Sequence, residues 1–342
     1  MKEKSTVKQK LEEAINLVKD NLLEKMISKK KSKSVLKAGL KVAILGPSGY
    51  TGHEIIRLLL KHPKVKIKLL IGNKSEGKHI SEIFSSLSQI NLPKIKSLKN
   101  TNFSNIDIVF SCMPSGNLDN IIHLIPKDII VIDLSADFRI KDIKLFEKYY
   151  TKHQNPKYLK KFTYGLTEIN RYKIKRSRYI ACPGCYPTSI LLPLIPLFQS
   201  RLIKVKNVII DSKSGYSGAG RGVHKKYKKK NLYESLSSYG VGFHRHNSEI
   251  HQMLSNFTKK QFDFTFTPHL SPMFRGILTT IYLDLENGAN VSKVLKKLTN
   301  FYKNEKFVKV LKGDSMISTN DVINTNNCLI SVCKSKFKNK II

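Results

Sequence analysis

The stretch Lys41-Val42-Ala43-Ile44-Leu45-Gly46-Pro47-Ser48-Gly49-Tyr50-Thr51-Gly52, followed by HEIIRLLLKHP (53–63), decides the fold. KVAIL is a short apolar run that reads as a buried strand, and the residues after Gly52 carry apolar side chains at helical spacing. Gly46, Gly49 and Gly52 between them form a G-x-x-G-x-x-G turn. Glycines there permit tight turning and close backbone approach to a pyrophosphate. A helix beginning near Thr51 offers that anion unpaired N–H groups and a positive dipole end. Gly46, Ser48, Gly49, Tyr50, Thr51 and Gly52 are therefore candidate dinucleotide contacts. An ordinary glycine-rich turn has the same composition, and the strand before it and the helix after it favour the nucleotide.

Working outward, VKIKLLIG (65–72), NIDIVFSCMP (105–114) and DIIVIDLSADF (128–138) are further strand candidates that alternate with helical stretches. That alternation predicts parallel βαβ units, a Rossmann-type α/β domain over 39–184. The second strand ends in Ile71-Gly72-Asn73-Lys74-Ser75. An acid at this point holds a ribose 2′-hydroxyl, whereas a cation accommodates a 2′-phosphate, so Lys74 points to NADP(H). The competing reading is a surface lysine in a lysine-rich chain. Ser115 follows another strand at the edge of the expected cofactor crevice, in a segment where Pro114 and Gly116 also suit a plain turn.

The second half reads differently. VKNVIIDSKSGYSGAG (205–220), FDFTFTPHL (262–270) and GILTTIYLDLE (276–286) are longer, alternating strands that suit a mixed or antiparallel sheet, an α+β domain over 185–321. Ahead of the first strand, Leu11, Ile15, Val18, Leu22 and Leu23 fall at helical spacing and Lys29–Lys33 reads as a solvated linker. Residues 1–38 are thus expected to form a basic helical extension.

The composition restricts the classes of function. The 342 residues are enough for two domains, and no run approaches the roughly 18 apolar residues of a membrane span. The N-terminal stretch lacks a secretory apolar core, and Glu3, Glu12 and Glu13 argue against a transit peptide, so a cytoplasmic location is expected. Five cysteines, an odd number, fit reduced thiols. The net charge of +36 raises nucleic-acid binding, but the lysines are spread along the chain and no aromatic-basic RNA motif accompanies them. A general drift toward lysine is the preferred reading, with steering of anionic substrates as a consequence.

Ala181-Cys182-Pro183-Gly184-Cys185-Tyr186-Pro187 breaks a strand-like YIA and opens a largely apolar helix. Pro187 suits a first helical turn, which puts Cys185 at a helix N-terminus where the dipole favours the thiolate. A thiolate attacking an acyl phosphate gives a thioester that a hydride reduces. The alternatives are a Cys182–Cys185 redox pair, half a zinc site, or buried structural thiols. No second CxxC accompanies them, and no metal is expected.

Gly242-Phe243-His244-Arg245-His246-Asn247-Ser248-Glu249 concentrates titratable groups, with a helix expected to start at Asn247 or Ser248. His246 and Glu249 then sit about one turn apart, where a carboxylate orients an imidazole. His246 is the first candidate for the acid–base, with His244 in reserve. The small-residue loop with Gly215, Ser217 and Gly218 is a candidate to wrap the nicotinamide or the substrate, or a flexible hairpin.

Taken together, GPSGYTG, DLSADFR, YGLTEINR, CPGCYPT, SGYSGAGR, FHRHNSEI and FTPHLSPMFRGI resemble the N-acetyl-gamma-glutamyl-phosphate reductases, in that family's order and from Lys41 onward. The resemblance implies a semialdehyde-dehydrogenase-like fold: a Rossmann domain, rejoined by 322–342, and an α+β catalytic domain that also mediates assembly as a homodimer or homotetramer. It implies NADPH-dependent reduction of N-acetyl-L-glutamyl 5-phosphate to the 5-semialdehyde, with Cys185 as nucleophile and His246 as base. It further implies substrate contacts at Ser135, Asp137, Arg139, Glu168 and Arg275, and a cofactor contact at Asn326. Arginine suits carboxylate and phosphate alike. This chain departs from the family at Ser248, where a proline is usual, and at Asn324, where a glycine is usual. The rivals are a reductase of aspartyl or aminoadipyl phosphate and, from another class, a basic nucleic-acid-binding protein on an enzyme-like fold.

Overall fold

The structure, a computed structural model, describes residues 39–99, 101–221, 234–258 and 262–342. The extension expected over 1–38 lies outside the described residues. The chain divides at Pro183/Gly184 into two compact units.

The first unit is built on a seven-stranded sheet. Its strands are β1 (Leu40–Leu45), β2 (Val65–Ile71), β3 (Ile95–Lys96), β4 (Ile108–Ser111), β5 (Ile130–Asp133), β6 (Thr163–Tyr164) and β7 (Tyr179–Ala181). They lie in the order β3-β2-β1-β4-β5-β7-β6, all parallel. β1 and β4 are central, and all their residues except the half-buried Lys41 are buried. β2 alternates half-buried and exposed residues over Val65–Leu69, because β3 pairs only with Leu70 and Ile71.

The helices of this unit are α1 (Tyr50–Leu59), α2 (Asn117–Ile121), α3 (Ile143–Tyr149) and α4 (Thr167–Lys175). Both faces of the sheet are covered. Val42 and Ile44 share a core with Ile56 and Leu59 of α1, while Ala43 and Leu45 share one with Leu118, Ile122 and Phe138. This two-sided layering matches the Rossmann-type expectation and leaves the strand carboxyl ends for the cofactor.

The second unit carries the sheet β14-β11-β8-β10-β9. Its strands are β8 (Val208–Gly215), β9 (Ser237–Ser238), β10 (Phe264–Ser271) and β11 (Ile277–Asp284), with β12 (Val308–Val310), β13 (Cys328–Ile330) and β14 (Lys340–Ile341). β8 and β10 are parallel, β11 and β8 antiparallel, so the sheet is mixed. The helices are α5 (Cys185–Gln199), α6 (His246–Thr258) and α7 (Val291–Tyr302).

The segment 322–342 carries β13 and β14. Its strands do not join the sheet of the first unit: β13 pairs with β12, and β14 extends the second sheet at β11. Two short strands satisfy their backbone groups there, a pairing that no local pattern of residues foretells. Among the described residues no helix is long and apolar enough to cross a membrane.

α5 is buried on most sides and contains Pro193 and Pro196. Proline at 196 has no N–H to offer the carbonyl four residues earlier, that of Leu192. Tyr302, at the end of α7, donates its buried hydroxyl to Leu192 O instead. Tyr302→Phe should therefore destabilise the fold by about 1–3 kcal/mol, the cost of stranding a buried acceptor. Urea unfolding tests this; an unchanged midpoint would mean that the carbonyl has another donor.

Candidate active site

Gly184 caps α5 with φ −64° and ψ 158°, an ordinary extended conformation. It is glycine for lack of space, since a Cβ there would stand 2.6 Å from His246 Nε2. Its N–H donates to Glu249 Oε1 at 2.8 Å, and Glu249 is fully buried. Its carbonyl accepts the Thr188 N–H at 2.9 Å and the Thr188 hydroxyl at 2.8 Å. The residue before the nucleophile candidate is thus fixed through both its peptide groups.

Cys185 is the first residue of α5 and is exposed, with no acidic side chain in the first turn. The end of a helix dipole favours a thiolate in that position. Cys182 is a different thiol: burial, with Asp133 nearby, pushes it up to about 12 against a weaker pull from Arg139. Burial likewise pushes Cys112 up, with Cys182 and Asp133 adding to it. The two cysteines of the CxxC therefore sit in opposite environments, which weighs against a redox pair.

The two histidines also separate. His246, buried at the start of α6, brings Nε2 against Gly184. His244 accepts the His246 N–H on Nδ1 at 3.2 Å, so its ring closes the open end of α6. Burial, helped by Arg245, lowers His244 to about 4, so it is neutral at physiological pH. The helix starts at His246, one residue ahead of the earlier of the two expected starts, with this ring on its first N–H. Glu249 bonds the turn before the nucleophile, a contact that its spacing from His246 does not suggest. Sequence reasoning also misses Tyr186, whose buried ring meets His244, His246 and Phe266 edge-on and whose hydroxyl lies 3.0 Å from that of Tyr239. Its place beside Cys185 is the available signal.

The loop after β8 is laced to the loop after β10. Gly215 N donates to Gly276 O at 2.9 Å, Tyr216 N to Met273 O at 3.0 Å and Ser217 N to Phe274 O at 3.0 Å. A Cβ on Gly215 would stand 2.6 Å from Phe274 O. Arg275 is thereby held beside Ser217, its guanidinium 5.3 Å from the Phe274 ring centroid. Gly218 has open space around it. Asn326 is exposed, just ahead of β13.

In the first unit, Gly46 has φ +76°, and a Cβ there would stand 2.8 Å from Cys112 O. A Cβ on Gly52 would come within 2.4 Å of Gly46 O, whereas Gly49 faces only that atom, at 3.8 Å. Two glycines close the turn and the third leaves backbone open, as a pyrophosphate requires. Ser48 and Tyr50 are half-buried around this turn and Thr51 is exposed on it. The end of β2 touches the turn, since a Cβ on Gly72 would stand 3.5 Å from Pro47 Cδ. Lys74 is exposed in the helical turn that follows. Glu76, the nearby acid, is tied to Ser97 N at 3.1 Å. These residues fit a dinucleotide with a 2′-phosphate.

Three of the substrate residues implied by the resemblance, Ser135, Asp137 and Arg139, are buried in the first unit. Asp137 is fully buried, with Oδ1 accepting Ser115 Oγ at 2.7 Å and Gly116 N at 2.6 Å and Oδ2 accepting Asp119 N at 3.1 Å. Ser135 donates its N–H and hydroxyl to Asp133 at 2.9 and 2.8 Å. Arg139, 7% exposed, donates to Leu134 O at 2.9 Å. Burial, then Asp137, raises Asp133 to about 7 against the bonds from Ser135. These bonds hold the loop Leu134–Arg139 to itself and to Ser115. Glu168 lies half-buried in the first turn of α4.

The fold and the paired loops define a class. Residues 41–177 match the profile described as semialdehyde dehydrogenase, NAD binding domain, and residues 185–342 that of semialdehyde dehydrogenase, dimerisation domain. Among solved structures, aspartate semialdehyde dehydrogenase II of Vibrio cholerae complexed with ASA aligns with TM-score 0.66 at 13% identity, over 89% of this chain and 91% of that one. The Candida albicans aspartate semialdehyde dehydrogenase with NADP gives TM-score 0.60 at 18% identity, over 89% and 92%. These two share the fold. Sequence relatives carry the assignment further. A rice protein described as a probable chloroplastic N-acetyl-gamma-glutamyl-phosphate reductase is 41% identical over 89% of this chain and 73% of its own. An Ehrlichia chaffeensis N-acetyl-gamma-glutamyl-phosphate reductase is 42% identical over 88% and 87%. The chain belongs to the N-acetyl-gamma-glutamyl-phosphate reductase family.

The His244 environment makes a pH prediction. Its folded value of about 4 lies below the usual 6.5, so between these values the unfolded chain binds the extra proton. Stability conferred by His244 is present above pH 6.5 and is lost as pH falls toward 4. Urea unfolding of His244→Gln should show a shallower loss across that window than the parent, and an equal slope would place the titration elsewhere.

Proposed function

We propose that this chain reduces N-acetyl-L-glutamyl 5-phosphate to N-acetyl-L-glutamate 5-semialdehyde and phosphate with NADPH, a step of arginine biosynthesis. The observation that carries the reading is Cys185, exposed at the start of α5 with His246 Nε2 against the neighbouring Gly184. The Cys185 thiolate attacks the acyl carbon, the carbon–oxygen bond to phosphate breaks, and a thioester remains. NADPH, when bound, supplies the hydride that takes the thioester to the thiohemiacetal level. Collapse of the thiohemiacetal frees the aldehyde and returns the thiolate, with His246 managing the proton at the oxygen. Glu249 holds the Gly184 turn so that Sγ stays at the helix end.

The turn Gly46–Gly52 holds the pyrophosphate, with Lys74 at the 2′-phosphate and Ser115 on the neighbouring loop. Arg275 takes a substrate anion through its guanidinium fork, and Glu168 is a further substrate contact. Gly215, Ser217 and Gly218 line the reacting end, and Asn326 reaches the cofactor. The chain acts in the cytoplasm, in keeping with its five thiols. It assembles as a homodimer or homotetramer. Support comes from the dimerisation-domain match and from the outer face of the second sheet, where Ile209 and Tyr282 are paired neighbours, 50% and 42% exposed.

The direct test is the reverse reaction, phosphate-dependent reduction of NADP by N-acetyl-glutamate 5-semialdehyde. Rates must fall to background without phosphate; aspartate semialdehyde serving as the better substrate would move the chain to the rival reductase. Cys185→Ser should abolish this turnover while leaving NADPH affinity within about twofold, and retained turnover would remove Cys185 from its role. Lys74→Glu should weaken NADPH roughly tenfold or more and NADH far less, because the new carboxylate repels the 2′-phosphate. An equal response of both cofactors would place Lys74 away from the ribose.

A further inference from the structure

Beneath the loop that carries Ser115 lies a closed group of buried side chains to which the reaction itself assigns nothing. His153 is 3% exposed, with Phe138 and Phe146 edge-on at 5.3 and 5.0 Å. Its Nε2 is 3.0 Å from the Asp137 carbonyl, and its Nδ1 is 3.0 Å from Asp119 Oδ1. Asp119, 2% exposed, also accepts Gln154 N at 2.5 Å and Asn155 N at 2.8 Å. Asn155 Nδ2 donates back to Asp119 O at 2.7 Å. Asp137 in turn holds Ser115 Oγ and Gly116 N on a single oxygen. Gly116 has φ +86°, a left-handed residue that a glycine adopts without strain and that Asp137 pins in place. The other end of this loop, Cys112 O, is the atom that Gly46 packs against. The path from Asp119 through His153 and Asp137 to Ser115 and Gly116 thus ends on a segment touching the phosphate-binding turn.

Buried polar groups recover their desolvation cost only with well-placed partners. Concentrating them under one loop at the end of a central strand fits a demand on the position of that loop. We infer that His153 is a positioning residue for dinucleotide binding, acting through Asp137 on the Ser115–Gly116 backbone. The inference rests on the reading of this loop as a cofactor contact.

The test uses the full chain and direct NADPH binding by fluorescence titration, beside steady-state kinetics and thermal unfolding. His153→Phe fills the ring volume but offers no polar atom; His153→Gln restores an amide donor. The expectation for His153→Phe is about tenfold weaker NADPH binding and a matching rise in KM for NADPH, with kcat at saturating NADPH within about twofold. His153→Gln should recover a large part of the binding. If the folded His153→Phe protein binds NADPH with the parental Kd, or if Vmax falls at unchanged KM and returns on cooling, His153 is only structural and the inference is overturned. Should His153→Phe fail to fold, Ser115→Ala removes the side-chain link from Asp137 to the loop, with weaker NADPH binding expected; a parental Kd in that variant overturns the inference equally. Since binding is read without turnover, a parent that binds NADPH yet reduces no acyl phosphate defeats the proposed reaction and leaves this test standing.

Discussion

The hydrogen bond from Gly184 N–H to Glu249 Oε1 is the constraint on which the second unit's chemistry rests. A fully buried carboxylate is costly unless it is hydrogen-bonded, so Glu249 is tolerated because it has a peptide N–H to satisfy. The bond ties the first residue before α5 to the first turn of α6. Cys185 and His246, the opening residues of those two helices, are positioned together by it. Space closes the arrangement, for only glycine fits between the turn and His246 Nε2. Cys185 and His246 are thereby placed at adjoining helix openings by backbone bonding and packing.

Around this bond the helices are anchored by groups that compensate local defects. α5 tolerates Pro196 because Tyr302 supplies the donor that the proline lacks. Ser189 of α5 shares hydroxyl contacts with Thr279 at 2.8 Å, and Thr279 with Ser212 at 2.9 Å, so α5 sits on β11 and β8 through small polar side chains. The apolar ring of Tyr186 fills the space beside both histidines. In the first unit the same logic works through glycine: Gly46 and Gly52 pack where no side chain fits, and Gly49 leaves the opening.

Much of this is legible in the sequence where the signal is local. Strand–turn–helix order at Lys41–Leu60 declares the parallel sheet, and the Pro-Gly break before an apolar run declares a helix opening at Cys185. His246 is legible from its crowded neighbourhood. Long-range pairings are not legible. Spacing places Glu249 one turn from His246 but does not show its bond to Gly184, 65 residues away in sequence. Asp137 takes donors from Ser115, Gly116 and Asp119, 18 to 22 residues earlier, a set that no local spacing shows. The resemblance also gives 322–342 to the first domain, and its strands find partners in β12 and β11. Spacing along a chain reports which face a residue occupies, and what it meets there is decided by tertiary contact.

The central claim is that Cys185, held at the helix opening by Gly184 and Glu249, becomes acylated during turnover. Mixing the full chain with N-acetyl-glutamyl phosphate in the absence of NADPH, quenching in acid and mapping peptides by mass spectrometry measures this directly. The account predicts an N-acetylglutamyl group on the peptide bearing Cys185, lost when NADPH is added before the quench. Acylation of Cys182 instead, or an unlabelled protein that nevertheless turns over, would contradict it.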